Sequence, residues 1–425
     1  MIVSEKRYDF TSKVAIVGAG PAGCAASFEL SKLGQKHLII DKAIFPRDKI
    51  CGDGLSPRVF FVLRQLFPEL LPKLAAQTHR FKAIETGMGV APNGSFIDLP
   101  LINPTEDGLP GAFTSKRIDF DHFLVENLNA DFAHQIFGAS ITAIDRIATG
   151  FELTITKDGK EHIAFAESLI GADGDRSFIK KKLAPAAFES EHYLVGVRAY
   201  YQNVGGMKNT LEFYLFDRVL PGYFWIFPLA DGTANVGVGM LSTYVRDNKV
   251  NLRELLIECI EKEPALIERF KDVELQGKIV GWGLPVASNP SNVISGERFM
   301  LIGDAGAFID PFSGEGIASA FYTGMYAAQA IVKAKNDFSA ANFKKLYDHK
   351  IKRTMRAEFK VMHIIQKIYF RPRLINFVLG SFGKNKFLIE NAGLIFDPKT
   401  RSKLYNPIFF LRLLWGFVNI NRKSL

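Results

Sequence analysis

Short apolar runs, each closed by glycine or an acid, punctuate the chain. They predict buried strands at residues 14–17, 37–40 and 168–170, and from 299 to the Gly303-Asp304 pair. Ala22, Ala25 and Ala26 follow the first run and predict a helix lying close on a sheet. The stretch GYFWIFPLADGTANVGVG (residues 222–239) has another pattern. Side chains two apart on a strand face the same way, so Tyr223, Trp225 and Phe227 share one side. Such a row belongs either to a strand buried on both faces or to an aromatic wall beside a flat or greasy ligand. Beyond Ala328 the pattern turns helical. Its last part, NPIFFLRLLWGFVNINRK, begins with Asn406 as an N-cap and Pro407 at the first helical position. Arg412, Gly416, Asn419 and Lys423 leave one narrow polar stripe there, so this helix either packs inside the protein or lies in a membrane interface. No run reaches the ~20 uninterrupted apolar residues of a transmembrane helix.

The segment VAIVGAGPAGCAASFELSKLGQKHLIIDK joins strand, turn, helix and strand into one βαβ unit. Gly18, Gly20 and Gly23 form G-x-G-x-x-G at its turn, with Ala22 between them. Gly18 permits the tight turn, Gly20 lets a diphosphate approach the backbone, and Gly23 allows close packing of helix on strand. The helix start offers free N–H groups and partial positive charge to that diphosphate. Asp41, with Lys42 next to it, closes the second strand where ribose hydroxyls need an acceptor. In this setting the glycines mark a dinucleotide site, shared in pattern by FAD and the nicotinamide dinucleotides.

Three later stretches bear on that choice. GADGDRS (residues 171–177) puts Asp173 at the carboxyl end of the strand 168–170. In FMLIGDAGAFIDPFSGEGIASAFYTGMYAA a loop with Pro311 and Gly314 enters a helix near Gly316, and FTSKRIDFDHFL carries Arg117 ahead of an amphipathic helix. In this order the motifs resemble the large FAD-dependent oxidoreductase family built like aromatic hydroxylases. The resemblance implies that Asp304 holds the ribityl or diphosphate part of FAD. It also implies that Gly314, Gly316 and Ile317 pass the isoalloxazine at a helix start, that Arg117 lies on the cofactor side, and that Ile141 makes a backbone contact to adenine. A helix N-terminus suits the negative charge of a reduced flavin. A second G-x-G-x-x-G is absent, so NADPH, NADH or a reduced carrier would deliver electrons transiently.

FPRDKICGDGLSP (residues 45–57) resembles the K-x-C-G-[GED]-G-L-S loop of the geranylgeranyl reductase family, flavoenzymes that saturate isoprenoid double bonds. Tyr223, Trp225, Phe227, Pro228, Gly237 and Gly239 resemble that family's Y-x-W-x-F-P-x8-G-x-G substrate motif, although Pro221 stands closer to Tyr223 than is usual there. The resemblance implies reduction of a C=C bond in a prenyl or lipid-like substrate held by Tyr223, Trp225 and Phe227, with Cys51 or Tyr223 as a proton source. Cys51, Gly52 and Gly54 would touch the flavin; Cys51 reads equally well as a small packing residue. The alternative is a flavin-dependent monooxygenase or halogenase acting on an aromatic or carrier-bound substrate. Its W-x-W-x-I-P strand motif is replaced here at Tyr223 and Phe227.

Charge and cysteine usage add to this picture. The net charge of +9 is uneven, because the end from Lys350 holds sixteen lysines and arginines against Glu358, Glu390 and Asp397. A basic end on a mildly acidic body expects an anionic neighbour or a solvated helical face; without aromatic-interleaved motifs, nucleic acid is not that neighbour. Cys24, Cys51 and Cys259 are widely spaced, which fits a reducing compartment and excludes a disulfide framework or a zinc site; no metal is expected. The expected architecture is α/β, α+β overall. A Rossmann-type FAD-binding domain with a parallel sheet takes 1–185 and 285–335. An interleaved antiparallel-sheet substrate domain takes 186–284, and a basic helical region takes 336–425. The protein is expected in the cytoplasm, free or associated with a membrane.

Overall fold

The computed structural model describes residues 7–101, 109–369, 373 and 375–377. The chain forms two compact units. One comprises the described residues of Met1–Arg47, Asp121–Phe188 and Pro285–Ala357; the other those of Asp48–Phe120, Glu189–Leu284 and Glu358–Leu425. The helix expected from Asn406 lies outside the described residues.

The first unit is built on parallel strands in the spatial order Phe299–Leu301, Lys160–Gly171, Phe10–Val17, His37–Asp41, Ala133–Phe137. Ile16 stands opposite Ile170 on one side and Ile39 on the other, all three without exposed surface. A strand covered on both faces has no use for polar alternation, hence the continuous apolar runs. Gly150–Lys157 and Ala139–Ile147 extend Lys160–Gly171 antiparallel. Helix Pro21–Lys32 follows the first strand and meets helix Ile317–Ala334 through small residues: a Cβ at Gly324 would stand 2.5 Å from the Ala22 carbonyl oxygen.

Residues 336–357, expected in a separate C-terminal region, pack on this unit. Phe343, Tyr347, Ile351 and Met355 are buried at steps of four, and the Tyr347 hydroxyl donates to the Leu301 carbonyl at 2.8 Å. A helix of 3.6 residues per turn would rotate such a row away from its support. The π-helical segments Lys344–Asp348 and Lys352–Arg356 widen the turn and keep the row in line.

The second unit is a seven-stranded sheet in the order Glu274–Pro285, Tyr193–Gln202, Ala234–Leu241, Gly222–Pro228, Thr210–Tyr214, Thr86–Val90, Phe96–Pro100. Residues 48–120 fall here rather than with the first nucleotide-type unit, where the sequence ranges place them. The cause is pairing: Thr86–Val90 lies parallel beside Thr210–Tyr214 and carries Phe96–Pro100 on its far edge. One face of the sheet is an apolar core of Phe224, Ile226, Val236 and Val238 under Leu255, Leu256 and Cys259 of helix Leu252–Lys262. Burial pushes the Cys259 thiol up to about 12, as befits a packing residue. The other face carries the functional candidates.

Candidate functional site

In the first unit the glycine turn is sterically specified. Gly18 has φ +104°, and a Cβ there would stand 2.3 Å from the Ala172 carbonyl oxygen. A Cβ at Gly23 would stand 1.8 Å from the Gly18 carbonyl oxygen, so helix and turn touch backbone to backbone. Gly20 differs. It caps helix Pro21–Lys32 without a side-chain hydrogen bond, and a Cβ there would meet only Arg47 Nη2, at 3.6 Å. The turn thus presents backbone N–H groups and a guanidinium to an open space, as a diphosphate requires. Arg47 is itself paired with Asp121 Oδ2 at 2.6 Å. Asp41 closes the second strand and steadies the turn, its Oδ2 accepting from Ala19 N at 2.7 Å and its Oδ1 from Ala43 N at 2.8 Å. A carboxylate oxygen has a further lone pair, so both remain acceptors for ribose hydroxyls.

The late segment comes to the same unit. The turn Gly303–Gly306 places Gly303 against Ala22, whose Cβ stands 2.9 Å from the Cβ position of Gly303, and puts Asp304 Oδ1 within 3.5 Å of the Cβ position of Gly316. Gly314 has φ +71°, and buried Asp310 holds the loop before it through the N–H groups of Phe312 and Ser313. Gly316 then caps helix Ile317–Ala334, where the Glu315 carboxylate accepts from Ala318 N at 2.8 Å. This helix start therefore receives an anionic oxygen. Positions almost three hundred residues apart in sequence meet in one cradle of glycine turns, helix starts, Arg47 and two carboxylates, and that donor set fits FAD. Lys42 is exposed, and Ile141 lies half-buried in Ala139–Ile147 opposite Ile155.

In the second unit, strand register builds the aromatic face. Trp225 stands opposite Gly237, Tyr223 opposite Gly239, and Phe227 opposite Asn235. The glycines leave room for the indole, which lies across strand Ala234–Leu241: a Cβ at Gly237 would fall 2.2 Å from Trp225 Cζ2. Phe213 joins the row, its ring 5.2 Å from Phe227 and 5.7 Å from Tyr223. The loop Cys51–Gly54 lies on the same aromatics, with the Cβ positions of Gly52 and Gly54 at 3.5 and 3.2 Å from Phe227 Cε2. So the two stretches that resemble the reductase loop and the reductase substrate motif are in contact within one unit. The half-exposed Cys51 lies at their junction.

What fastens the loop is a polar cluster that the sequence reading did not single out. Asn235 uses its whole amide: Oδ1 accepts from Trp225 Nε1 at 2.9 Å, and Nδ2 donates to the Cys51 carbonyl and to Asp53 Oδ2, each at 2.8 Å. Asp53 Oδ2 also accepts from the Tyr200 hydroxyl at 2.8 Å. The Arg198 guanidinium stacks 4.0 Å from the Tyr200 ring centroid and pairs with Asp48 at 3.2 Å, while Lys116 Nζ lies 4.7 Å from the same centroid. Burial raises Asp53 to about 6, against the hydrogen bonds from Asn235 and Tyr200 and the charges of Arg198 and Arg117. Burial, reinforced by the Asp53 charge, pushes the Tyr200 phenol well above its ordinary range. Arg117 opens helix Arg117–Glu126 and is buried in range of Asp53. The one available signal for Asp53 was its place between Gly52 and Gly54 in a loop that tolerates glycine there.

The family model described as "FAD binding domain" matches residues 11–357. The chain is 33% identical over 336 residues to a protein named menaquinone reductase from Mycobacterium tuberculosis, covering 76% of this chain and 77% of that protein. It is 30% identical over 343 residues to digeranylgeranylglycerophospholipid reductase of Methanocaldococcus jannaschii, covering 78% and 80%. Among solved structures, a geranylgeranyl bacteriochlorophyll reductase-like protein from Thermoplasma acidophilum superposes with a TM-score of 0.76 at 23% identity, covering 93% of this chain and 98% of that one.

Proposed function

The chain belongs to the FAD binding domain family and is an FAD-dependent oxidoreductase, and from that premise we propose that it saturates carbon–carbon double bonds in the prenyl part of a lipid-like substrate. Two relatives are named for the reduction of menaquinone and of digeranylgeranylglycerophospholipid, both prenyl lipids. The observation that carries the reading is the indole of Trp225 laid across Gly237, flanked by Tyr223, Phe213 and Phe227. A prenyl chain offers no polar handle and binds by apolar area, at ~25 cal/mol per Å² removed from water.

The residues that would hold FAD are Gly18, Gly20, Ala22, Gly23, Asp41 and Arg47 at the nucleotide end and Asp304, Gly314, Gly316 and Ile317 at the later turn. Bound FAD supplies the hydride. The protein's part is to orient the alkene on a dry aromatic face, with Cys51 held there by Asn235, and to supply a proton.

The electron donor is proposed to be a nicotinamide dinucleotide or reduced carrier that binds transiently. Peripheral contact with an anionic lipid surface is proposed through the basic end of the chain. Among the described residues, Lys344, Lys345, Lys352, Arg353, Arg356 and Lys360 are exposed and support that contact, and no helix is long and apolar enough to cross a membrane.

The test is anaerobic. Protein carrying dithionite-reduced FAD is mixed with a prenyl quinone or a polyprenyl phospholipid. The expected result is return of the oxidised-flavin spectrum with a lipid product heavier by hydrogen. A flavin that the lipid leaves reduced and that reoxidises only once dioxygen is admitted, with hydroxylated or halide-containing products, would instead favour the monooxygenase or halogenase chemistry.

A further inference from the structure

Saturating an alkene consumes a proton as well as a hydride, and the polar cluster beside the aromatic face contains a carboxyl arranged to hold one. Asp53 has no exposed surface, and its two oxygens are unequal. Oδ2 accepts from both the Tyr200 hydroxyl and Asn235 Nδ2. Two hydrogens aimed at one oxygen leave no place for a third, so a protonated Asp53 carries its hydrogen on Oδ1. Oδ1 is buried and has no hydrogen-bond partner. An orphaned buried oxygen points to a ligand or a reactive role.

The backbone agrees. Asp53 sits at φ +64°, in the left-handed region that non-glycine residues seldom adopt and that concentrates at functional sites. The glycines on either side of it lie against Phe227 and Trp225. The left-handed conformation thus sets the carboxyl in the loop that packs against Phe227 and Trp225 of the aromatic row.

We propose that Asp53, through Oδ1, is the acid that protonates the alkene standing on the Trp225–Phe227 face; this rests on the prenyl-saturation reading. The C=C π bond breaks. One carbon receives the hydride, with its electron pair, that a reduced flavin supplies. The other carbon takes the proton from Oδ1, and its new C–H bond is formed by the former π electrons. Asp53 is left as carboxylate, stabilised by Tyr200 and Asn235, and solvent returns the proton.

The groups facing Asp53 tune this acid. Arg198 and Tyr200 approach from strand Tyr193–Gln202, Arg117 from its helix, and Asn235 from the neighbouring strand. Asp48 partly neutralises Arg198, and Lys116 lies over the Tyr200 ring. Burial outweighs the cations and hydrogen bonds and leaves the carboxyl at about 6, near enough to neutrality for an acid that must both give and regain a proton.

Two variants test it. Asp53→Asn keeps the size and the acceptor oxygen for Tyr200 and Asn235 but cannot release a proton. Reduced holoenzyme is mixed with a prenyl lipid without oxygen, across a range of pH. In the wild type the rate of flavin reoxidation is expected to fall about tenfold per pH unit above about 6. In Asp53→Asn it is expected to be roughly 10²–10⁴-fold slower, without that slope.

Tyr200→Phe removes a donor that favours the carboxylate, so the profile is expected to move to higher pH. Infrared titration of the oxidised holoenzyme gives a readout apart from turnover. A protonated-carboxyl band should disappear with its midpoint near about 6, be absent in Asp53→Asn, and shift upward in Tyr200→Phe. An Asp53→Asn protein that reduces the lipid at the wild-type rate, or an infrared titration unchanged by either variant, overturns the role of Asp53 alone. A wild-type holoenzyme that leaves the lipid unreduced at every pH overturns the saturation reading and this role with it.

Discussion

Trp225 and Gly237 face each other across two antiparallel strands, and the indole occupies the space where any other residue at 237 would place its side chain. The Cβ position of Gly237 lies 2.2 Å from Trp225 Cζ2 and 2.5 Å from the Val197 carbonyl oxygen. Gly239, opposite Tyr223, has nothing nearer than 3.7 Å. Alanine at 237 must therefore lift the ring and move backbone, whereas alanine at 239 need move nothing. Gly237→Ala is expected to destabilise the protein by about 1–3 kcal/mol and to depress lipid reduction while FAD stays bound. Gly239→Ala should stay within about 0.5 kcal/mol of the parent. Urea unfolding followed by tryptophan emission checks both; equal effects at the two positions would show that the indole does not lie where the register puts it.

The aromatic row was legible because alternation is a local property of a strand, and Tyr223, Trp225 and Phe227 announce their shared side by spacing alone. The glycine turn was legible for the same reason: Gly18, Gly20 and Gly23 act within one βαβ unit. What escaped reading depends on pairing between distant strands. Asn235 matters because it stands opposite both Phe227 and Tyr200, which no stretch of its own sequence reveals. Tyr200 and Arg198 look like the polar half of an ordinary strand until that register brings Asp53 to them. Assigning residues 48–120 to the second unit likewise turns on the parallel pairing of Gly89 with Phe213. Arg47 was passed over because a lone arginine in a loop has no pattern, and only the fold shows it beside Gly20.

The second and third glycines of the nucleotide turn should fail in different ways. A Cβ at Gly23 would collide with the Gly18 carbonyl oxygen at 1.8 Å, so Gly23→Ala is expected to cost a few kcal/mol of stability whether or not FAD is present. At Gly20 the added methyl would meet only Arg47 Nη2 at 3.6 Å, so the apoprotein should tolerate it. It would, however, occupy the approach that a diphosphate needs. Gly20→Ala is expected to leave apoprotein unfolding unchanged and to weaken FAD binding by tenfold or more, about 1.4 kcal/mol. Fluorescence titration with FAD, alongside apoprotein unfolding, separates the two defects.

Asp53 also links stability to pH, with a sign opposite to that of a salt-bridged carboxylate. Its ordinary value of 3.8 applies to the unfolded chain, and burial holds it at about 6 in the folded one. Between those values the folded protein binds more protons than the unfolded, so unfolding free energy falls as pH rises through that window. Asp53 weighs least on the fold below it, where the carboxyl is protonated in both states. Above it, the folded chain must keep a buried carboxylate ionised. A difference of roughly two pKa units corresponds to about 3 kcal/mol, to an order of magnitude. Asp53→Asn cannot titrate and should lack this slope. Measured by urea unfolding from about pH 4 to about pH 7, the wild type is expected to lose about 2–3 kcal/mol relative to the variant. Because both proteins share every other titrating group, the difference between the two curves isolates Asp53. Parallel curves across the range would mean that the carboxyl takes up protons in the folded protein just as it does in the unfolded chain.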